Sequence, residues 1–238
     1  MKFTNLTKFD MGLAKELKEG TKKSHSAAEN TKFVRGFLKG VVNEEEYRKL
    51  LKDFYYVYSC MEDLISKTTD PIAKTLQKYQ SKLDRTNFLE QDLRYYYGPM
   101  WRNEVSHGGS EACKTYIHRL NEVAEKAPFL LISHHYTRYI GDLSGGQILK
   151  NIAQKALQPA KGSGLLFYEF PRVLDAKEFK DGYRSDLDSL TLDDKQINAL
   201  VDEANYAFKL NMYLFDEIQG SASKSLWNIL WGYITGNE

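Results

Sequence analysis

The chain has 238 residues, 42% of them apolar and 13% aromatic, which is enough to bury a sizeable core in one large domain. Its 33 Lys and Arg balance 32 Asp and Glu, which argues against a general nucleic-acid or acidic-membrane binder and leaves recognition to local charge. The only cysteines, Cys60 and Cys113, form no Cys-x-x-Cys pair, so no disulfide framework, thiolate zinc site or redox couple is read.

No stretch alternates apolar and polar residues between hairpin turns, whereas helical spacing recurs along the chain, and an all-α fold is expected. The N-terminus MKFTNLTKFD lacks the apolar core of a signal peptide, so the Asn5-Leu6-Thr7 glycosylation acceptor is expected to stay idle. A first helix is predicted from about Asp10 to Glu29, with Leu13, Leu17, Thr21, Ser24 and Ala28 along one face, and a short one through Phe33, Phe37 and Leu38. Asn43-Glu44-Glu45-Glu46 resembles a capping box opening a helix whose buried stripe is Tyr47, Leu51, Phe54, Tyr58, Met61 and Ile65. Further helices are predicted after Asp70-Pro71, near 88–97, and from Ser110 to Lys126.

Pro128, at a first helical position, is predicted to begin one central helix reaching about Leu157. Residues 158–164 read as a loop and 165–184 as irregular or partly helical. Thr191 with Asp194 is predicted to cap a helix running toward Gly220, and a shorter helix through Trp227 and Trp231 closes the chain. The last apolar run, Leu226 to Ile234, is about half the ~20 residues that span a bilayer. No linker or repeat divides the sequence, so residues 1–238 are expected to form a single-domain helical bundle, soluble and intracellular.

Two features carry chemistry. His25 shares a helical face with Lys18, about 10 Å away by helical rise, and with Glu29 one turn on. Such a strip offers a metal ligand, a carboxylate to orient it and a cation for an anionic group. Gly141, Gly145 and Gly146 interrupt the predicted central helix at about 1 kcal/mol each relative to alanine. Bare backbone there either admits a flat ligand or permits close helix packing, and the spacing alone does not choose. Arg138 and Asp142 stand four residues apart, an ion-pair spacing. Glu104-x-x-His107 has di-iron spacing but no second copy, and no phosphate-binding glycine loop or nucleophile triad is found.

Five collinear segments, LKEGTKKSHSAAEN (17–30), FYYVYSCMED (54–63), YTRYIGDLSGGQILKNIAQ (136–154), FKDGYRSDLDSL (179–190) and FKLNMYLFDEIQ (208–219), resemble the haem oxygenase family, in its soluble cyanobacterial and algal plastid form. The resemblance implies haem as both substrate and cofactor, sandwiched between a proximal and a distal helix, with dioxygen as co-substrate and ring opening at the α-meso carbon to biliverdin, carbon monoxide and iron(II). It places His25 on the iron, Glu29 on the other imidazole nitrogen, and Gly141, Gly145 and Gly146 on the distal helix. It also implies Asp142, Arg138 and Tyr58 in a distal network that orders water beside dioxygen. Lys18, Lys22, Tyr136, Lys180 and Arg184 match the propionate edge, where Asp181-Gly182 departs from the pattern, and Phe208, Asn211 and Phe215 match pocket positions. Ferredoxin or another external reductase is the implied electron donor, since no flavin or iron-sulfur motif is present. A monomer is expected, in the plastid stroma of an alga or the cytoplasm of a cyanobacterium. Two rivals stay open: a non-catalytic haem carrier or sensor, and a helical enzyme of the same fold that has lost haem, such as a thiamin-related hydrolase.

Overall fold

The computed structural model describes residues 12–218, and among them the fold is all-α. Its helices are α1 (Leu13–Gly20), α2 (Lys22–Glu29), α3 (Lys32–Leu38), α4 (Glu44–Lys67), α5 (Gln80–Leu83), α6 (Thr86–Tyr97), α7 (Trp101–Val105), α8 (Glu111–Lys126), α9 (Leu131–His135), α10 (Gly145–Leu157), α11 (Ala176–Asp188) and α12 (Asp194–Ile218). The predicted closing helix through Trp227 and Trp231, the Asn5 acceptor and the start of the first helix at Asp10 lie outside the described residues. No helix among the described residues is long and apolar enough to cross a membrane.

Local chemistry sets several helix ends. Asn43 Oδ1 accepts from the Glu46 N–H at 3.1 Å and Ser110 Oγ from the Cys113 N–H at 3.1 Å, satisfying amides that have no partner within the helix. The predicted Thr191–Asp194 cap is corrected to a reciprocal box two residues on: Gln196 N–H donates to Asp193 Oδ1 at 2.8 Å and Asp193 N–H to Gln196 Oε1 at 3.0 Å. The α4 stripe from Tyr47 to Ile65 is buried as its spacing requires and packs on α6 and α8. Around it the buried apolar side chains form one continuous cluster.

The first helix is not continuous. It bends at Thr21, whose hydroxyl donates back to the Leu17 carbonyl at 2.7 Å, a contact that competes with the helical ladder. The central helix is also corrected. A 3₁₀ turn at Pro128–Leu130 leads into α9, then a π-helical segment at Tyr136–Ile140, and the chain turns out of helix at 143–144 before α10 begins. Three glycines within six residues leave little intrinsic preference to hold one regular ladder there.

Candidate active site

A cavity of about 490 Å³ is lined by α1 to α4, by the π segment and the break that follows it, by α10, α11 and α12, and by the short turn at Leu166–Tyr168. Phe37, Leu50, Phe54 and Phe167 contribute apolar walls, and Lys18, Lys22, Tyr136 and Arg184 contribute polar ones. The sequence therefore brings the histidine strip and the glycine segment to the same space although they are more than a hundred residues apart.

His25 sits on α2 with its side chain 60% exposed into this opening, its ring edge-on to Phe208 of α12 at 5.8 Å. Glu29 Oε2 lies 3.7 Å from His25 Nδ1, close enough for charge but beyond a formed hydrogen bond. Across the lining, a Cβ built on Gly141 or Gly145 would meet nothing within 4 Å. Close helix packing is therefore not what these two glycines serve, because it would put a neighbour there. Gly146 differs: its Cβ would touch Asp142 Cβ at 3.6 Å and Tyr168 Cδ1 at 3.7 Å, ordinary contact inside the protein.

Asp142 and Arg138 are both more than nine-tenths buried at the cavity wall. The Tyr58 hydroxyl donates to Asp142 Oδ2, Arg138 Nε donates to the Tyr58 oxygen at 2.9 Å, and Arg138 Nη2 lies 3.6 Å from Asp142 Oδ1. Arg138 Nη1 also donates to Asn211 Oδ1 at 2.5 Å, which ties the cluster to α12. Burial raises the Asp142 carboxyl above the usual carboxylate range, against the opposing pull of Arg138 and the Tyr58 hydrogen bond. The Asp142 carboxyl thus stands desolvated at the cavity wall, hydrogen-bonded by Tyr58 and close to the Arg138 guanidinium. Behind it, Tyr139 donates to the buried Glu62 at 3.0 Å, extending the polar interior.

Side chains hold the break in the distal segment. Gln147 Nε2 donates to the Asp142 carbonyl at 3.2 Å and to the Tyr168 carbonyl at 2.9 Å, and Lys180 Nζ donates to Ser144 Oγ at 3.0 Å. Lys180 thus engages the break and is not among the cavity's lining residues, while Tyr58 stands one layer behind the wall. Of the other expected polar residues, Lys22 is paired with Glu19, and Arg184 Nη1 with Asp181 Oδ1 at 2.9 Å.

The model of the family described as "Heme oxygenase" matches residues 11–217. The chain belongs to the haem oxygenase family. It is 46% identical to the heme oxygenase of Rhodella violacea, with 95% of each chain covered, and 48% identical to heme oxygenase 1 of a Nostoc species, covering 94% of this chain and 92% of that one. The solved heme oxygenase-1 of the cyanobacterium Synechocystis, in complex with heme, superposes with a TM-score of 0.83 at 48% identity, over 94% of this chain and all of that one. A TenA homologue from P. horikoshii, 13% identical with a TM-score of 0.61, shares the fold alone.

Several wall residues of the cavity carry no sequence signal for the site. Phe54 reads as core stripe, and Phe167 and Tyr168 fall in a stretch read as irregular. Their turn is held by Asp92, whose carboxylate accepts the Leu166 and Phe167 amides at 2.9 and 2.7 Å from a helix more than seventy residues earlier. Gln147 lies inside the glycine motif, yet only the geometry of the break gives its amide a task.

Proposed function

We propose that the cavity holds haem between the His25 imidazole and the bare backbone at Gly141 and Gly145, and that the protein opens it at the α-meso carbon to biliverdin, carbon monoxide and iron(II). The observation that carries this reading is the open space over both glycines on a cavity that also contains His25. The residues present fit the group: a largely apolar lining, one imidazole, and the cations Lys18, Lys22 and Arg184 for its carboxylates. In this reading the iron arrives inside the macrocycle and His25 is the residue that holds it. When bound, haem supplies both the metal that activates dioxygen and the carbon skeleton that is oxidised.

The protein's own part is to orient and to manage protons. Lys18, Lys22, Tyr136 and Arg184 set the rotation of the disc through its carboxylates, and that rotation selects the carbon presented to the distal side. Lys180 serves the same edge only by exchanging its Ser144 contact for a carboxylate. Asp142, held by Tyr58 and Arg138, would order polar molecules at the cavity wall and pass protons through hydrogen-bonded intermediaries rather than by direct contact. Phe208, Asn211 and Gly146 shape the pocket around these groups.

Electrons come from outside the chain. Ferredoxin or another reductase docks transiently on basic residues beside the opening, including Lys18, Lys22, Lys23 and Lys180. Residues 1–238 act as one monomeric domain, in the plastid stroma of an alga or the cytoplasm of a cyanobacterium, a placement supported by the red algal and cyanobacterial relatives. A non-catalytic carrier needs the slot but has no use for a buried carboxyl held at its wall. Mixing the protein with haem, dioxygen and a reductant separates the two: loss of the haem absorption band with one bilin on chromatography supports the enzyme, and a persistent band supports the carrier.

A further inference from the structure

The bend between α1 and α2 lies four residues before His25, so the direction of the imidazole depends on what fixes that bend. Helix α12 presents a row at i, i+4 and i+7 to it: Val201, Asn205 and Phe208. Val201 occupies the space over Gly20, where a Cβ would stand 2.4 Å from Val201 Cγ1. Phe208 meets the His25 ring edge-on. Between them, Asn205 Nδ2 donates to the Gly20 carbonyl at 3.1 Å, at the end of α1, while its Oδ1 accepts from the Ser24 hydroxyl at 2.6 Å in the first turn of α2. Asn205 Nδ2 also donates to the Val201 carbonyl on its own helix at 2.9 Å, which fixes the amide's orientation.

We propose that Asn205 is a positioning residue: by holding both sides of the bend at once, it sets the angle of α2 and thereby the direction in which His25 points into the cavity. A single side chain bridging two helix segments couples their orientation in a way that neither segment's own ladder does. Thr21 bends the helix by its contact with Leu17, and Asn205 makes one bend angle the preferred one. The proposal rests on the reading that His25 holds the haem iron, and two kinds of readout keep the two apart.

In the haem-free protein, Asn205→Leu raises hydrogen-exchange rates of the α2 amides by about tenfold, the loss expected for a clasp of this kind, while α8 amides keep their rates. In the haem complex of the full chain, Asn205→Leu and the milder Ser24→Ala both shift the iron–imidazole stretching band in the ferrous state. Asn43→Ala, which removes the cap of α4 and destabilises without touching α12, leaves that band in place. The proposal is overturned if the band and the α2 exchange rates are unchanged in both Asn205→Leu and Ser24→Ala while His25→Ala abolishes the band, or if Asn43→Ala shifts it equally. If His25→Ala itself keeps the wild-type band, the reading of the site fails first and the proposal falls with it.

Discussion

A missing side chain at Gly145 has a different meaning from one at Gly20, because the first faces open space and the second faces Val201. Gly145→Val therefore keeps the haem-free fold, and helix propensity even favours the replacement by a few tenths of a kcal/mol. Its branched side chain projects into the slot, and haem titration should show affinity reduced by tenfold or more, whereas wild-type affinity would mean the slot lies elsewhere. Asp142→Ala makes the complementary case. Haem still binds with its iron–imidazole band intact, since His25 is untouched, but bilin formation drops by about a hundredfold or more because the carboxyl that would pass protons is gone. Single-turnover chromatography measures that loss directly, and undiminished biliverdin would remove Asp142 from the chemistry.

At the scale of elements, Gly20→Ala forces α1 against α12 and is expected to cost about 1–3 kcal/mol by overpacking, read as a lower denaturant midpoint. The helices themselves were legible wherever one periodic stripe faces the core, as in α4, and wherever a cap is built from residues three apart. The two departures from continuous helix were not legible, although each adjoins a glycine, Gly20 in one case and Gly145 in the other. At Thr21 the bend depends on a hydroxyl turning back to Leu17, and at 143–144 the break is sustained by Gln147, Lys180 and the distant Tyr168 carbonyl. Such bonds join residues without periodic relation, so the sequence marks a weak ladder but not where it yields. His25, Gly141 and Asp142 were identifiable through their shared motifs, while Lys180 was identifiable as a cation without its present partner.

Across the whole molecule, buried titratable groups that do not line the cavity make stability depend on pH. Burial holds His135 neutral, pushing its pKa down to about 3, while its ring stacks on Tyr183. The unfolded chain takes up that proton near pH 6.5, so stability is full above this value and is lost as pH falls toward 3. Glu203 adds a second loss. Burial raises its carboxyl, but hydrogen bonds from His134 and Arg119 outweigh that and hold it at about 2, so its contribution is present above about pH 4.5 and disappears as pH falls toward 2. Thermal unfolding followed from pH 7 to 3 should show a falling midpoint, and His135→Gln should flatten the upper part of the decline. Replacing Glu203 by Leu leaves Arg119 and His134 facing an apolar group and costs about 3–5 kcal/mol.

The most direct test of how the bundle works is a crystal structure of the protein soaked with haem. One disc should lie in the cavity with its iron bonded to a His25 ring nitrogen, and the peptide backbone of Gly141 and Gly145 should lie against its opposite face. Iron bonded to any other side chain, or a disc lying outside the space between α2 and the Gly141–Gly145 segment, would contradict it.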